Sequence, residues 1–190
     1  MTSARTFSLL AAATVLSGWL AGAALERSAV MMRVWQTLGV ESWARFGHGS
    51  DFGTGFTMDG VVGVAAAALI FAAAVSATFD RNGDRSTPIS LIISLVFSLL
   101  GLLLTAKAVN LVQLLAAPHP VADLRPIFGD YLIWGVDFRA AAAAVAFIAV
   151  VWALLSLSIA AAPGKSEAAE TPALGNKVAS AARLPRPQAN

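Results

Sequence analysis

The chain has 190 residues, of which 57% are hydrophobic and 13% are charged, and its mean hydropathy is +0.72. Roughly a quarter of the residues of a soluble domain are charged, so this composition excludes an ordinary soluble domain and indicates a membrane protein. The absence of cysteine excludes disulfides, thiolate metal sites and covalently attached c-type haem. The basic residues are scattered along the chain, which argues against nucleic acid as a partner.

Four charge-free stretches, residues 6–25, 60–79, 86–106 and 140–164, determine the fold class. A helix needs about 20 apolar residues to cross the hydrocarbon core of a bilayer. None of the stretches carries the polar residues that a soluble bundle places at every third or fourth position. We therefore predict an all-α, four-helix transmembrane bundle in a lipid bilayer, with spans at about 6–25, 57–79, 88–117 and 133–162.

The first stretch also resembles an export signal, because Ala21-Gly22-Ala23 is typical of a signal-peptidase site. An apolar run of 20 residues exceeds the roughly 7 to 15 of a signal core, so we predict that it is retained as the first span. With the N-terminus in the cytoplasm, seven of the 13 Lys and Arg residues lie inside and five outside. This bias predicts that both termini are cytoplasmic, and that residues 163–190, rich in Ala and Pro, form a disordered cytoplasmic tail.

Each of the four predicted spans places ionisable residues at the same end of the bundle, the predicted outer end. Lys107 lies about 27 Å along its helix from Ile89, close to the outer interface. Its ammonium group either reaches this interface by snorkelling or pairs with an acidic side chain inside the bundle. Pairing would create a charge network that fixes the helices and lines a pocket open to the outside. The predicted polar cluster comprises Glu26, Asp59, Lys107, Asn110, Asp137 and Arg139.

Small residues in two spans predict close helix contacts. Gly18 and Gly22 form a G-x-x-x-G pair, and the third span carries a stripe of small side chains. The alternative for the stripe is a polar permeation path, which is disfavoured because Ser and Thr can bond to carbonyls of their own helix. The stripe consists of Ser94, Ser98, Gly101 and Thr105.

The segment between the first two spans is long, so we expect it to be an ordered outer loop. Val30, Val34 and Leu38 share one helical face, which predicts a short helix in the membrane interface that ends at Gly39. Trp43 and Phe46 are then predicted to anchor the next segment among the lipid headgroups.

Metal binding is a minor alternative for the outer side. His48, Asp51 and His119 are candidate ligands for a divalent cation, but they lack a spacing such as H-E-x-x-H. The sequence therefore predicts no metal site and leaves the cofactors unassigned.

A family resemblance rests on four short spans and a few residues. The chain resembles the bacterial membrane proteins grouped with the anthrone oxygenases, the DUF1772-like family. The resemblance implies a bacterial inner membrane protein that oxygenates a polycyclic phenol, with Trp134, Asp137 and Arg139 as catalytic candidates and Asp137 as proton acceptor. The residues that carry it are Gly22-Ala-Ala-Leu-Glu26, Trp35-x-x-x-Gly39-x-x-x-Trp43, Trp134 and Arg139.

Two functions of different class follow. The first is a binding or accessory subunit of a membrane complex, with membrane-protein partners or a second copy of the chain. The alternative is a small membrane oxygenase of the anthrone-oxygenase type. The sequence alone leaves open whether the protein is an enzyme.

Overall fold

A computed structural model describes residues 4–49, 52–79, 86–117 and 120–161. Within these ranges every residue except Gly39, Ala117 and Pro120 is helical, and none lies in a β-strand. The predicted all-α class is confirmed. The α-helices are α1 (Ala4–Glu26), α2 (Met32–Leu38), α3 (Val40–Gly49), α4 (Phe52–Phe79), α5 (Ser86–Ala116), α6 (Val121–Asp130) and α7 (Phe138–Ala161).

Four helical segments are long and apolar enough to cross a membrane: Ala4–Leu38, Gly55–Phe79, Thr87–Ala116 and Ala122–Ile159. They pack as a bundle in which α5 lies against α7 and α1 contacts both α4 and α7. Large apolar side chains cover the outside of this bundle, among them Val15, Trp19, Leu103, Ile148 and Ile159. Such a surface is suited to lipid and not to water. The chain is a multi-pass membrane protein.

Two π-helical segments make the first and last spans longer than expected. Arg27–Met31 joins α1 to α2, and Tyr131–Asp137 joins α6 to α7, so each pair forms one continuous helical rod. Residues 27–38 and 40–49 are therefore helical, where the sequence predicted an ordered loop with one short helix that ends at Gly39. The two π segments contact each other, which brings the ends of both rods together.

Gly39 ends the first rod, as its sequence predicts. Its φ of 86° and ψ of 160° lie in a region that side chains with a Cβ rarely adopt. This conformation turns the chain from α2 into α3. Val30, Val34 and Leu38 remain exposed on α2 and the π segment before it, whereas Met32 is buried.

The apolar interior consists of two clusters. One lies among α1, α4, α5 and α7 and centres on Leu10, Ile70, Leu91 and Val150. The other packs α3 and α6 against the end of α5 and contains Trp43, which is only 2% exposed.

The predicted headgroup anchor at Trp43 is therefore wrong. Its ring stacks on Tyr131 at 5.8 Å between centroids and meets Trp35 edge-on at 5.3 Å. The reason is that α3 folds back onto α5 and α6, so its aromatic face is covered by protein. The predicted tail, residues 163–190, and most of the charged turn between the second and third spans lie outside the described residues.

Candidate functional site

Asp59 connects three helical segments through one carboxylate oxygen. Arg27 Nη1 donates to Asp59 Oδ2 over 3.0 Å, and Arg139 Nη1 donates to the same oxygen over 3.2 Å. Arg27 opens the first π segment, Asp59 lies in α4, and Arg139 is the second residue of α7. These contacts define the charged triad: Arg27, Asp59 and Arg139.

The side chains of the triad are mostly buried in the protein. The exposed fractions of the side chains are 7% for Arg139, 16% for Asp59 and 26% for Arg27. Phe56, one turn before Asp59, places its ring 6.0 Å from Arg139 Cζ. A charge in this setting is stable only when it is paired, so the triad ties α4 and α7 to the end of α1.

The second π segment precedes Arg139, which is the second residue of α7. An α-helix carries 3.6 residues per turn, so one extra residue within a turn rotates every later side chain by about 100°. This widening therefore contributes to the direction in which Arg139 leaves its helix. Arg27 is the first residue of the other π segment, so the regular α1 before it determines its direction.

Asp137 belongs to a separate, more exposed contact. Ser28 Oγ donates to Asp137 Oδ1 over 2.5 Å, and Arg33 Nη2 lies 3.9 Å from Asp137 Oδ2. The Asp137 side chain is 47% exposed. This contact links the two π segments to each other at the edge of the bundle.

Lys107 contacts an aromatic ring, and it forms no ion pair with a carboxylate of the described residues. Its Nζ lies 4.2 Å from the centre of the Trp134 ring, and that ring stacks on Phe138 at 4.9 Å. The ring face attracts the ammonium group electrostatically. Lys107 is exposed, so it combines this contact with access to the interface.

A cavity of about 60 Å³ lies beside the triad, and all four spans contribute to its wall. Its polar and charged lining residues are Ser17, Asp59, Ser98, Thr105 and Arg139. The rest of the wall is apolar, with Leu20, Ala24, Gly63, Phe97, Gly101, Leu102, Ala143 and Ala146. We call this space the central cavity.

Two buried atoms of cavity-lining residues have hydrogen-bond capacity that their neighbours among the described residues leave unused. They are Ser17 Oγ and Arg139 Nε. Ser17 is 4% exposed and Arg139 is 6% exposed, so neither side chain is freely solvated. Both atoms have almost no accessible surface, so they lie behind the wall of the cavity and do not face its interior.

The four residues of the small-residue stripe in the third span have two roles: one packs against a neighbouring helix, and three line the central cavity. Ser94 is fully buried and donates to the carbonyl of Ala146 over 2.8 Å, which joins α5 to α7. Ser98, Gly101 and Thr105 line the central cavity. Thr105 also bonds back to Gly101 in its own helix.

The structure brings together only part of the predicted polar cluster. Asp59 and Arg139 meet, whereas Asp137 and Lys107 each have other partners. Glu26 and Asn110 are exposed and form no ion pair with the triad in the described part of the chain. The resemblance-based set of Trp134, Asp137 and Arg139 is likewise spread over three different contacts.

The sequence placed Arg27 with Glu26 among the ionisable groups at the outer level, but the predicted polar cluster contained only Glu26, and it is Arg27 that joins the triad. Ser17 was overlooked because one hydroxyl in an apolar span usually bonds within its own helix. Its position next to Gly18, which packs closely against Phe147, was the available signal.

The structure does not test the candidate metal ligands predicted from the sequence. Asp51 and His119, together with the side chain of His48, lie outside the described residues. Over the ranges that the structure does describe, no three His, Asp or Glu side chains converge on one point.

Comparisons with protein-family models, with curated proteins and with solved structures found no match to this chain. The site therefore has to be interpreted from its own chemistry. The fold defines a four-span helical membrane protein with a buried charged triad and a small, mostly apolar cavity beside it.

Proposed function

We propose that this protein is a binding or accessory subunit of a bacterial inner-membrane complex. The observation that supports this proposal is the convergence of polar groups from all four spans on the central cavity. Charged residues inside a membrane are costly and usually mark a site of function. Here Asp59 and Arg139 fix two of the helices relative to each other beside the cavity.

The helix contacts favour a rigid scaffold. Ser94 joins α5 to α7, Asp59 joins α4 to α7, and Thr6 pairs with Ser76 across α1 and α4 at 2.6 Å. Hydrogen bonds and close packing are the main forces that hold helices together in lipid. A rigid bundle that presents one fixed cavity suits binding and assembly.

Purification in a mild detergent tests this proposal. We expect the tagged chain to carry a stoichiometric membrane-protein partner or a bound small molecule, detected by native mass spectrometry. A ligand-free monomer, obtained from cells in which the chain is expressed at its natural level, would overturn the proposal.

The second candidate is a small membrane oxygenase of the anthrone-oxygenase type. It is supported by the resemblance of the sequence and by a largely apolar cavity whose lining includes Asp59 and Arg139. Dioxygen would supply one oxygen atom to the substrate methylene, which becomes a carbonyl, and the other atom would leave as water.

The size of the cavity argues for the first candidate. Pockets for organic ligands typically measure about 300–1,000 Å³, far more than the 60 Å³ found here. A polycyclic phenol would require the helices to separate.

Activity measurements decide between the two candidates. If Asp137 is the proton acceptor, Asp137→Asn abolishes dioxygen consumption with an anthrone as substrate and leaves the amount of folded protein unchanged. Equal activity in the variant would exclude this role for Asp137, and no activity in the unaltered protein would exclude the oxygenase.

A further inference from the structure

One lysine on the outside of the bundle has no acidic partner in the described part of the chain. Lys107 is exposed on α5 and forms no ion pair with a carboxylate of those residues. Its Nζ lies 4.2 Å from the centre of the Trp134 ring, which stacks on Phe138. The ring attracts the ammonium group but carries no net charge, so the positive charge of Lys107 stays unneutralised. The contact therefore leaves a positioned cation open to an anion.

The surroundings of Lys107 are lipid. Leu103 lies one turn before Lys107 on the same face of α5 and is 70% exposed, and Phe138 is 51% exposed. Large apolar side chains on the outside of a membrane bundle contact acyl chains. Lys107, Leu103 and Phe138 do not line the central cavity. The lysine therefore faces the bilayer and not the interior of the protein.

The depth of Lys107 in the bilayer follows from the length of its helix. The apolar span of α5 begins at Thr87, and Lys107 lies about 30 Å farther along at the helical rise. The hydrocarbon core of a bilayer has about the same thickness. Tryptophan is enriched at this boundary, and Trp134 lies beside Lys107. The ammonium group is thus at the level of the lipid headgroups of one leaflet.

The side chains on this face of α5 change in character along the helix. Leu103 is apolar, Lys107 is cationic, and Asn110 is an exposed neutral amide. The rise per residue separates the first two by about 6 Å and the last two by about 4.5 Å. A glycerophospholipid presents an acyl chain, a phosphate and a polar headgroup in the same order. An amide both donates and accepts hydrogen bonds, so Asn110 suits hydroxyl groups beyond the phosphate.

We propose that Lys107, Asn110 and Trp134 form a binding site for an anionic glycerophospholipid with a hydroxylated headgroup. Lys107 donates to the phosphate, Asn110 bonds to the headgroup hydroxyls, and an acyl chain lies along Leu103 and Phe138. A zwitterionic headgroup is disfavoured, because its own ammonium group repels Lys107. This inference goes beyond the proposed function and does not rest on it, since these residues do not line the central cavity.

Native mass spectrometry of the full chain in a non-ionic maltoside detergent tests the proposal. Phosphatidylglycerol and phosphatidylethanolamine with identical acyl chains are added in equal amounts, and the lipid retained on the intact chain is measured. We expect phosphatidylglycerol to be retained in preference, because it carries a net negative charge and two headgroup hydroxyls. Equal retention of the two lipids would overturn the proposal.

Competition identifies the source of the phosphate and the role of the headgroup. Glycerol 3-phosphate that displaces phosphatidylglycerol would indicate a site for small soluble phosphates and would overturn the lipid assignment. Phosphatidylmethanol has the same charge and chains but no headgroup hydroxyls, so it should bind more weakly than phosphatidylglycerol. Equal binding of these two lipids would overturn the role given to the hydroxyls.

Lys107→Gln removes the charge from an exposed position and leaves the helix contacts intact. The affinity for phosphatidylglycerol should fall about fivefold or more, since the attraction of one basic residue to an anionic headgroup is lost. Arg45→Gln is the matched control, because it removes the same charge from an exposed residue that lies 4.0 Å from Glu41. Equal losses in the two variants would show a general attraction between charges and would overturn the site.

Three further variants test the ring and the amide. Trp134→Leu removes the ring beside the ammonium group and should weaken phosphatidylglycerol binding, whereas Lys107→Arg keeps the charge and the ring contact and should not. Undiminished binding in Trp134→Leu would overturn the role of the ring. Asn110→Leu should abolish the preference for phosphatidylglycerol over phosphatidylmethanol, and a preference that survives would exclude Asn110 as the headgroup ligand.

Discussion

Asp59 is the residue on which the charged triad depends. Both arginines bind its Oδ2, so one substitution removes two ion pairs together. The buried Arg139 would then keep its charge without a counter-ion. Surface ion pairs contribute little to stability, but leaving a buried charge unpaired is costly.

Asp59→Asn is therefore expected to destabilise the protein by about 3–5 kcal/mol. Thermal unfolding in detergent, followed by circular dichroism, measures the change. Asp137→Asn is the matched control, because Asp137 is about half exposed and its loss should cost less than about 1 kcal/mol. Similar melting temperatures for the two variants would contradict the assigned role of Asp59.

At the residue level, the sequence predicted the level in the bundle at which charged side chains meet. It did not predict all of the residues that form the ion pairs. The common level of Asp59 and Arg139 followed from helix lengths, and the structure joins them. The choice between Glu26 and Arg27 did not follow, because adjacent residues on a helix point about 100° apart. Which of the two faces Asp59 depends on the rotation of α1 about its axis, and the uniformly apolar sequence of α1 does not specify that rotation.

At the level of elements, close helix contacts explain why the two glycines of α1 differ. A Cβ on Gly18 would lie 3.1 Å from Phe147 Cε2, whereas a Cβ on Gly22 would have no neighbour within 4 Å. The G-x-x-x-G pair thus has one member in the contact with α7 and one in open space.

Gly18→Leu should destabilise the bundle by about 1–3 kcal/mol, because the leucine must displace Phe147 from the contact between α1 and α7. Gly22→Leu places the same side chain in open space and should be neutral or slightly stabilising. Unfolding by heat in the same detergent compares the two. A larger loss for Gly22→Leu would show that the helices pack differently.

The turn at Gly39 separates α2 from α3 and depends on the absence of a Cβ. Gly39→Ala should cost about 1–3 kcal/mol, since the backbone has a φ of 86°. Gly55→Ala is the control, because Gly55 lies within α4 and has open space around its Cα. Thermal unfolding measures both variants, and an equal effect of the two would exclude strain at Gly39.

At the level of the whole molecule, the four spans were predictable because lipid imposes a simple rule. Each charge-free stretch of about 20 residues forms part of a long helix, as the thickness of a bilayer requires. The folding back of α3 was not predictable, because Trp43 suits a headgroup layer and a protein interior equally well. The central cavity could not be predicted from the sequence either, because its shape depends on how all four spans pack together.

The orientation of the bundle is the last prediction, and the lack of cysteine makes it simple to test. The bias of Lys and Arg places both termini in the cytoplasm, so α3 should lie outside and the end of α4 inside. In Glu41→Cys, the exposed new thiol should react with a membrane-impermeant maleimide in intact spheroplasts. In Thr78→Cys, near the end of α4, the thiol should react only after the membrane is broken. The reverse pattern would invert the topology and place the charged triad at the cytoplasmic end of the bundle.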